Sequence, residues 1–274
     1  MKKQVLILII TLAAVSLPTL LPISAWAQGA NEFVVPLSDP AKRGKLKAQI
    51  NYGSITVKGG GRKDVLVKYT AAQDEDDKKG GTKDGLRRIG GGGMDLEVVE
   101  NGNTVKVSSN SWNNKLNLEI EVPSGMDLEV KTYNDGDLII TNIQGEVELT
   151  NYNGEITAMN ISGTVVATTY NGDIRITFDK VTDGTPMSYS TYNGDIDITF
   201  PSTMKGTMKM KTEQGDIYSG FDVDFKSSGP VQKKDTKSGV YKVVIDEWKR
   251  GDINGGGPEI TMKNYNGDIY LRKK

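Results

Sequence analysis

The feature that most constrains this chain is a short phrase that returns at near-regular intervals. Tyr152-Asn153-Gly154-Glu155-Ile156 recurs as Tyr170-Asn171-Gly172-Asp173-Ile174, Tyr192-Asn193-Gly194-Asp195-Ile196 and Tyr265-Asn266-Gly267-Asp268-Ile269. Tyr133-Asn134-Asp135-Gly136-Asp137-Leu138 is a copy with one extra residue, and Glu213-Gln214-Gly215-Asp216-Ile217 is a degenerate one. The phrase glycines stand at 136, 154, 172, 194, 215 and 267, giving steps of 18, 18, 22, 21 and 52 residues. Gly145 and Gly163 mark a half-beat of 9 between the first three. Self-similarity at this period signals a stacked repeat, in which no single unit can bury its apolar face alone. Steps of 22 and 21 fit a longer loop, whereas 52 requires an insertion.

After each glycine the side chains alternate. Ile174, Ile176 and Phe178 are apolar, while Asp173, Arg175 and Thr177 are polar; Ile196, Ile198 and Phe200 repeat the pattern. Period two marks a strand buried on one face. Asn-Gly is a turn dipeptide, because both residues tolerate positive φ. Strands that restart every half-beat cannot all be hairpins, so they are predicted to pile into coils around a continuous apolar column. Each coil then adds about three inward side chains, each stabilising by roughly 1.5–3 kcal/mol when buried. Counting inward through Val165, Ala167 and Thr169 places Asn171 inside and Tyr170 outside. This predicts an internal amide ladder of Asn134, Asn153, Asn171, Asn193 and Asn266. It also predicts an outer row of Tyr133, Tyr152, Tyr170 and Tyr192, with Asp137, Glu155, Asp173 and Asp195 beside it.

The flanks of the repeat differ in composition. Residues 1–27 read as a secretory signal peptide: Lys2 and Lys3, an apolar run from Val5 to Ala14, and Ala25-Trp26-Ala27 as the cleavage site. No later stretch approaches transmembrane length. The chain has no cysteine, which removes a disulfide framework and a lipid anchor on cysteine. A net charge of −1 gives no footprint for nucleic acid. Residues 28–125 read as a strand-rich first part or cap, with Asn101-Gly102 as a hairpin turn. Within it, 73–93 reads as a solvated, mobile loop. Its Asp74-Glu75-Asp76-Asp77 run lacks the alternating ligands of a calcium loop. Residues 126–274 read as the repeat solenoid, with an insertion at 221–252 in which Val240–Ile245 is expected to pair with Phe221–Phe225. Arg250-Gly251-Asp252 is a tripeptide that integrins read, and a three-residue match arises readily by chance.

The bridge Ile120-Glu121-Val122-Pro123-Ser124-Gly125, the Tyr-Asn-Gly-Asp-Ile phrases and Gly255-Gly256-Gly257 before the last copy resemble the putative-adhesin family of secreted bacterial β-solenoid proteins. The resemblance covers most of the chain after the signal peptide. It implies a right-handed parallel β-helix-like stack, an exported location and no established catalytic residues.

The absence of histidine and cysteine excludes Ser-His-Asp and Cys-His nucleophiles and the usual zinc ligand sets. Carboxylates remain. A row of Asp137, Glu155, Asp173 and Asp195, about 4.8 Å apart, is expected to accept turn N–H bonds; otherwise its members raise one another's pKa or attract a cation. No metal or cofactor is predicted. The reading is therefore an all-β, right-handed parallel β-solenoid with an irregular N-terminal cap and two insertions. Its expected role is an exported, non-catalytic, adhesin-like binding or structural module, in the periplasm or at the cell surface. The expected partner is a glycan or cell-surface component, held on a stripe of Tyr133, Tyr152, Tyr170, Tyr192, Asp173 and Asp195. The alternative is a carbohydrate-active β-helix enzyme working through Asp and Glu.

Overall fold

In the computed structural model the described residues are 31–72, 82–83, 86–87, 95–223, 225–227, 230–235, 240–245 and 248–274. The signal-peptide reading lies outside them, as does loop 73–93 apart from the paired strands Thr82–Lys83 and Leu86–Arg87. All regular structure among the described residues is β-strand.

The repeat builds coils of two strands and two corners. One sheet stacks, in parallel, Thr104–Ser109, Lys45–Ile50, Asp127–Lys131, Glu146–Thr150, the second half of Ile156–Thr168, Met187–Ser190, Glu259–Lys263 and Gly206–Lys211. The other stacks Lys115–Pro123, Ile55–Gly60, Leu138–Thr141, the first half of Ile156–Thr168, Ile174–Val181, Ile196–Phe200, Ile269–Lys273 and Ile217–Ser219, again in parallel. The sheets are mixed, because antiparallel strands cover their ends. Asp64–Ala72 and then Glu32–Pro36 close the second sheet at one end, and Glu97–Asn101 closes the first. At the far end Lys249–Ile253 and Lys226–Ser227 cover the first sheet. Such covers occupy backbone groups that a bare edge would offer to another chain. Arg250-Gly251-Asp252 sits inside one of these cover strands, paired with Thr207, Met208 and Lys209.

Stack order is not chain order. Residues 45–60 form the second coil, wedged between 104–123 and 127–141. The last copy of the phrase lies on the penultimate coil, between 187–200 and 206–219. The 52-residue step is therefore a detour: the chain lays down the end coil, adds its cover and returns one coil inward. The insertion also differs from expectation. Val240–Ile245 pairs antiparallel with Pro230–Asp235, not with Phe221–Phe225. Phe221, Val223 and Phe225 pack on the end of the core instead, where burial outweighs a further ladder.

Inside, equivalent side chains stand over one another. Leu118, Ile55, Leu138, Ile156, Ile174, Ile196, Ile269 and Ile217 form one column in register. Facing it, Val107, Ala48, Val130, Leu149, Ala167, Tyr189, Met262 and Met210 form another. Large side chains sit over small ones where the column would otherwise overfill, as Tyr189 beside Ala167. Close packing of this kind keeps the two sheets at one separation. Phe178 and Phe200 stack within the core with centroids 5.1 Å apart.

Candidate functional site: an exposed tyrosine ladder

The corner that carries the phrase is made by backbone contact. A Cβ on Gly172 would lie 2.1 Å from the carbonyl oxygen of Gly154, and a Cβ on Gly154 equally close to that of Gly136. Only glycine lets successive coils approach this closely. The same column continues through Gly194, Gly267 and Gly215.

Three side-chain ladders run along this corner. The innermost was partly legible, since Thr169 was expected to point inward. It consists of Thr132, Asn151, Thr169, Thr191, Thr212 and Asn264, each donating to a turn-glycine carbonyl of the neighbouring coil; Thr191 Oγ1 reaches Gly172 O at 2.9 Å and Asn151 Nδ2 reaches Gly136 O at 2.9 Å. The second is the asparagine ladder. Asn171 Nδ2 donates to Asn153 Oδ1 at 2.8 Å, Asn193 to Asn171 at 2.7 Å and Asn266 to Asn193 at 2.7 Å. These asparagines are half-buried at the corner rather than internal, because the threonine position already fills the inside of the bend. Asn134 is exposed and outside the side-chain ladder, which corrects the expectation for it; its backbone bridges to Tyr52.

The third ladder is aromatic and exposed. Tyr152, Tyr170, Tyr192 and Tyr265 stack with centroids 5.0, 4.8 and 4.8 Å apart and ring planes within 6°. Parallel stacking follows from the one-coil offset between equivalent positions. The interior rings turn their faces to one another, so the stripe offers ring edges and hydroxyls outward. None of the four hydroxyls has a partner among the described residues. Tyr133 departs from the expected row: it is half-buried and tilts against Trp112, with centroids 6.2 Å apart at 44°. Sequence reading missed Trp112, which lies in no repeat, and left Tyr265 out of the stripe because 52 residues separate its phrase from the one before.

The acidic residues serve the turns. Asp173 Oδ1 accepts the Asp195 N–H at 2.8 Å, Asp195 accepts that of Asp268, Asp268 that of Asp216, and Asp137 that of Glu155, all at 2.8 Å. Glu155 instead joins Asp173 in gripping Arg175. Against the desolvation it suffers, the charges of Asp173 and Glu155 raise the pKa of that guanidinium. Further along the outer face Tyr218 stacks on Tyr270 with centroids 5.1 Å apart. Tyr270 donates to Asp268 Oδ2 at 2.9 Å, and this bond, with burial and the Asp268 charge behind it, pushes its hydroxyl up to about 12. Among the described residues no group of three or more acidic side chains converges as a metal site. No helix among them is long and apolar enough to cross a membrane.

Residues 86–254, more than half of the chain, match the Toastrack DUF4097 family model, and the chain belongs to that family. No curated protein matches it significantly. Among solved structures it is similar to a putative cell adhesion protein from Clostridium sporogenes ATCC 15579. The identity is 13%, the match covers 89% of this chain and 99% of that one, and the TM-score is 0.46.

Proposed function

We propose that this protein is an exported, non-catalytic solenoid that binds a glycan or other cell-envelope component along its tyrosine corner, in the periplasm or at the cell surface. In this reading the parallel crossovers are right-handed, the hand such connections adopt. The signal-like residues 1–27 support export. The observation that carries the binding role is the stack of four exposed tyrosines with outward hydroxyls at one-coil spacing. Amphipathic rings of this kind are enriched where proteins meet partners. Neighbouring Asp173 and Asp195 act as the rail that holds the stripe straight, since their carboxylates fix the turns from which the tyrosines project.

The test is retention on a panel of immobilised polysaccharides and envelope fragments. Tyr170→Phe/Tyr192→Phe keeps the stack and removes two hydroxyls; Tyr170→Ala/Tyr192→Ala removes the stripe at its centre. Wild-type protein is expected to be retained by at least one polymer, the Phe pair less, and the Ala pair not at all. Equal retention of all three would end the proposal.

A further inference from the structure

The two outer ladders stop at the same coil. Asp135 is an extra residue in the phrase, held at φ 45, and it follows Asn134, which does not bridge to Asn153 as the later asparagines bridge to one another, although the Asn153 N–H still donates to Tyr133 O. An extra residue of this kind re-aims the side chains around it. Two groups are left unmatched at this coil. Asn171, Asn193 and Asn266 each donate from Nδ2 to the amide oxygen of the coil before; Asn153 has no such acceptor. Its amide is the donor end of a chain of aligned amides, which polarise one another. The second is Tyr152. It is 51% exposed, whereas Tyr170, Tyr192 and Tyr265 are 39–41% exposed, so the far face of Tyr265 is covered and one face of Tyr152 is open. Tyr133 would cover it but leans on Trp112 instead.

An open cleft of about 490 Å³ lies at this point. Ser54, Lys115, Asp135, Asp137 and Asn153 supply its polar groups. Ser54 Oγ accepts the Asp137 N–H at 3.0 Å, and its own proton is unassigned to any described acceptor. Asp137 Oδ1 is engaged by the Glu155 N–H, and its Oδ2 is unengaged among the described residues. Lys115 Nζ is paired with Asp135 at 2.9 Å, which largely neutralises both. An amide donor, a hydroxyl and a carboxylate oxygen therefore line one cleft.

We propose that this cleft binds one neutral hexopyranose ring. A sugar hydroxyl can accept from Asn153 Nδ2 and donate to Asp137 Oδ2 at once, which an ammonium or a carboxylate cannot. A second hydroxyl reaches the Lys115–Asp135 pair. A carboxylated sugar would meet Asp137 as a like charge. The site shares its ligand class with the stripe proposed above and rests on that reading for it, but lies at one end of the ladders rather than along them.

The experiment follows the side-chain amides of the isotope-labelled protein by NMR while the methyl glycosides of glucose, galactose and mannose are added in turn. One of them is expected to shift the Asn153 amide and leave Asn266 unmoved. Asp137→Asn retains an oxygen for the Glu155 N–H and so should fold, with binding weakened about ten-fold. Deleting Asp135 restores the uninterrupted phrase; it should let Asn134 accept from Asn153 Nδ2, raise the melting temperature and abolish the shift. No Asn153 response to any of the three hexosides overturns the proposal, as does unchanged binding in a folded Asp135 deletion or preference for a uronate. Should hexosides fail while the Tyr170 and Tyr192 variants still lose polymer retention, only the end site falls.

Discussion

The two corners of the coil solve the same bend in different ways. The phrase corner is held by backbone contact, an inner Thr/Asn ladder and an outer amide ladder, and it keeps one geometry across coils that are far apart in the chain. The opposite corner uses close glycines in only part of the stack: a Cβ on Gly163 would lie 2.1 Å from Gly145 O, and one on Gly59 2.0 Å from Asn142 O. Beyond that it opens into loops, around Gly184 and around residues 201–205. The longer steps of 22 and 21 residues are absorbed there and nowhere else. A corner with no backbone contact tolerates added length at little entropic cost, because loop closure grows slowly with loop size. The same contrast explains Asp135. One residue added at the tight corner is not absorbed there, and the Asn134 side chain leaves the amide ladder.

The contrast is most severely tested by glycine replacement. Gly172→Ala places a Cβ on the Gly154 carbonyl with φ near +147 and should destabilise by more than about 3 kcal/mol in urea unfolding. Gly184→Ala, with φ +81 and nothing within 4 Å, should cost about 1 kcal/mol. Equal penalties would erase the distinction between the corners. Next, Tyr170→Ala removes two ring contacts and should cost about 1–3 kcal/mol, whereas Tyr170→Phe keeps both and should fall near wild type.

Two smaller effects sharpen the picture. Asn151 Oδ1 is buried without a partner, while threonine fills the equivalent place in neighbouring coils and makes the same bond to a turn carbonyl. Asn151→Thr should therefore stabilise by about 1 kcal/mol in thermal or chemical unfolding. Away from both corners, hydrogen bonding from Lys131, opposed by burial and assisted by Lys45 and Lys47, lowers the Glu129 pKa from 4.5 to about 2. A carboxyl depressed in the folded state contributes stability above its unfolded pKa and loses it on acidification. Glu129→Gln should cost no more than about 1 kcal/mol at neutral pH, since the cluster is partly solvated. The difference from wild type should disappear as pH falls from about 4.5 to about 2. A difference that persists at the acid end would mean that packing, not charge, holds that cluster.

Much of the fold could be read directly from the repeat. Alternation about each glycine identified the inward Ile156, Ile174 and Ile196, and the glycine spacing placed them in one column, where they stand. The outward direction of Tyr152, Tyr170 and Tyr192 followed from the same parity. Both rest on local chemistry, the two-residue period of a strand and the turn preference of Asn-Gly, which a chain carries wherever it lies. The carboxylates of Asp173 and Asp195 were correctly tied to turn N–H groups, since an acceptor beside a tight turn has few other uses.

What the tertiary structure alone decided is which coil lies on which. That residues 45–60 slip beneath 104–123, and that the final phrase is penultimate in the stack, depends on where antiparallel covers can run. No local pattern encodes that. The fate of Tyr133 belongs to the same class: its ring is set by Trp112, brought over from another coil. Periodicity determines what each residue faces; only neighbours in space determine what it touches.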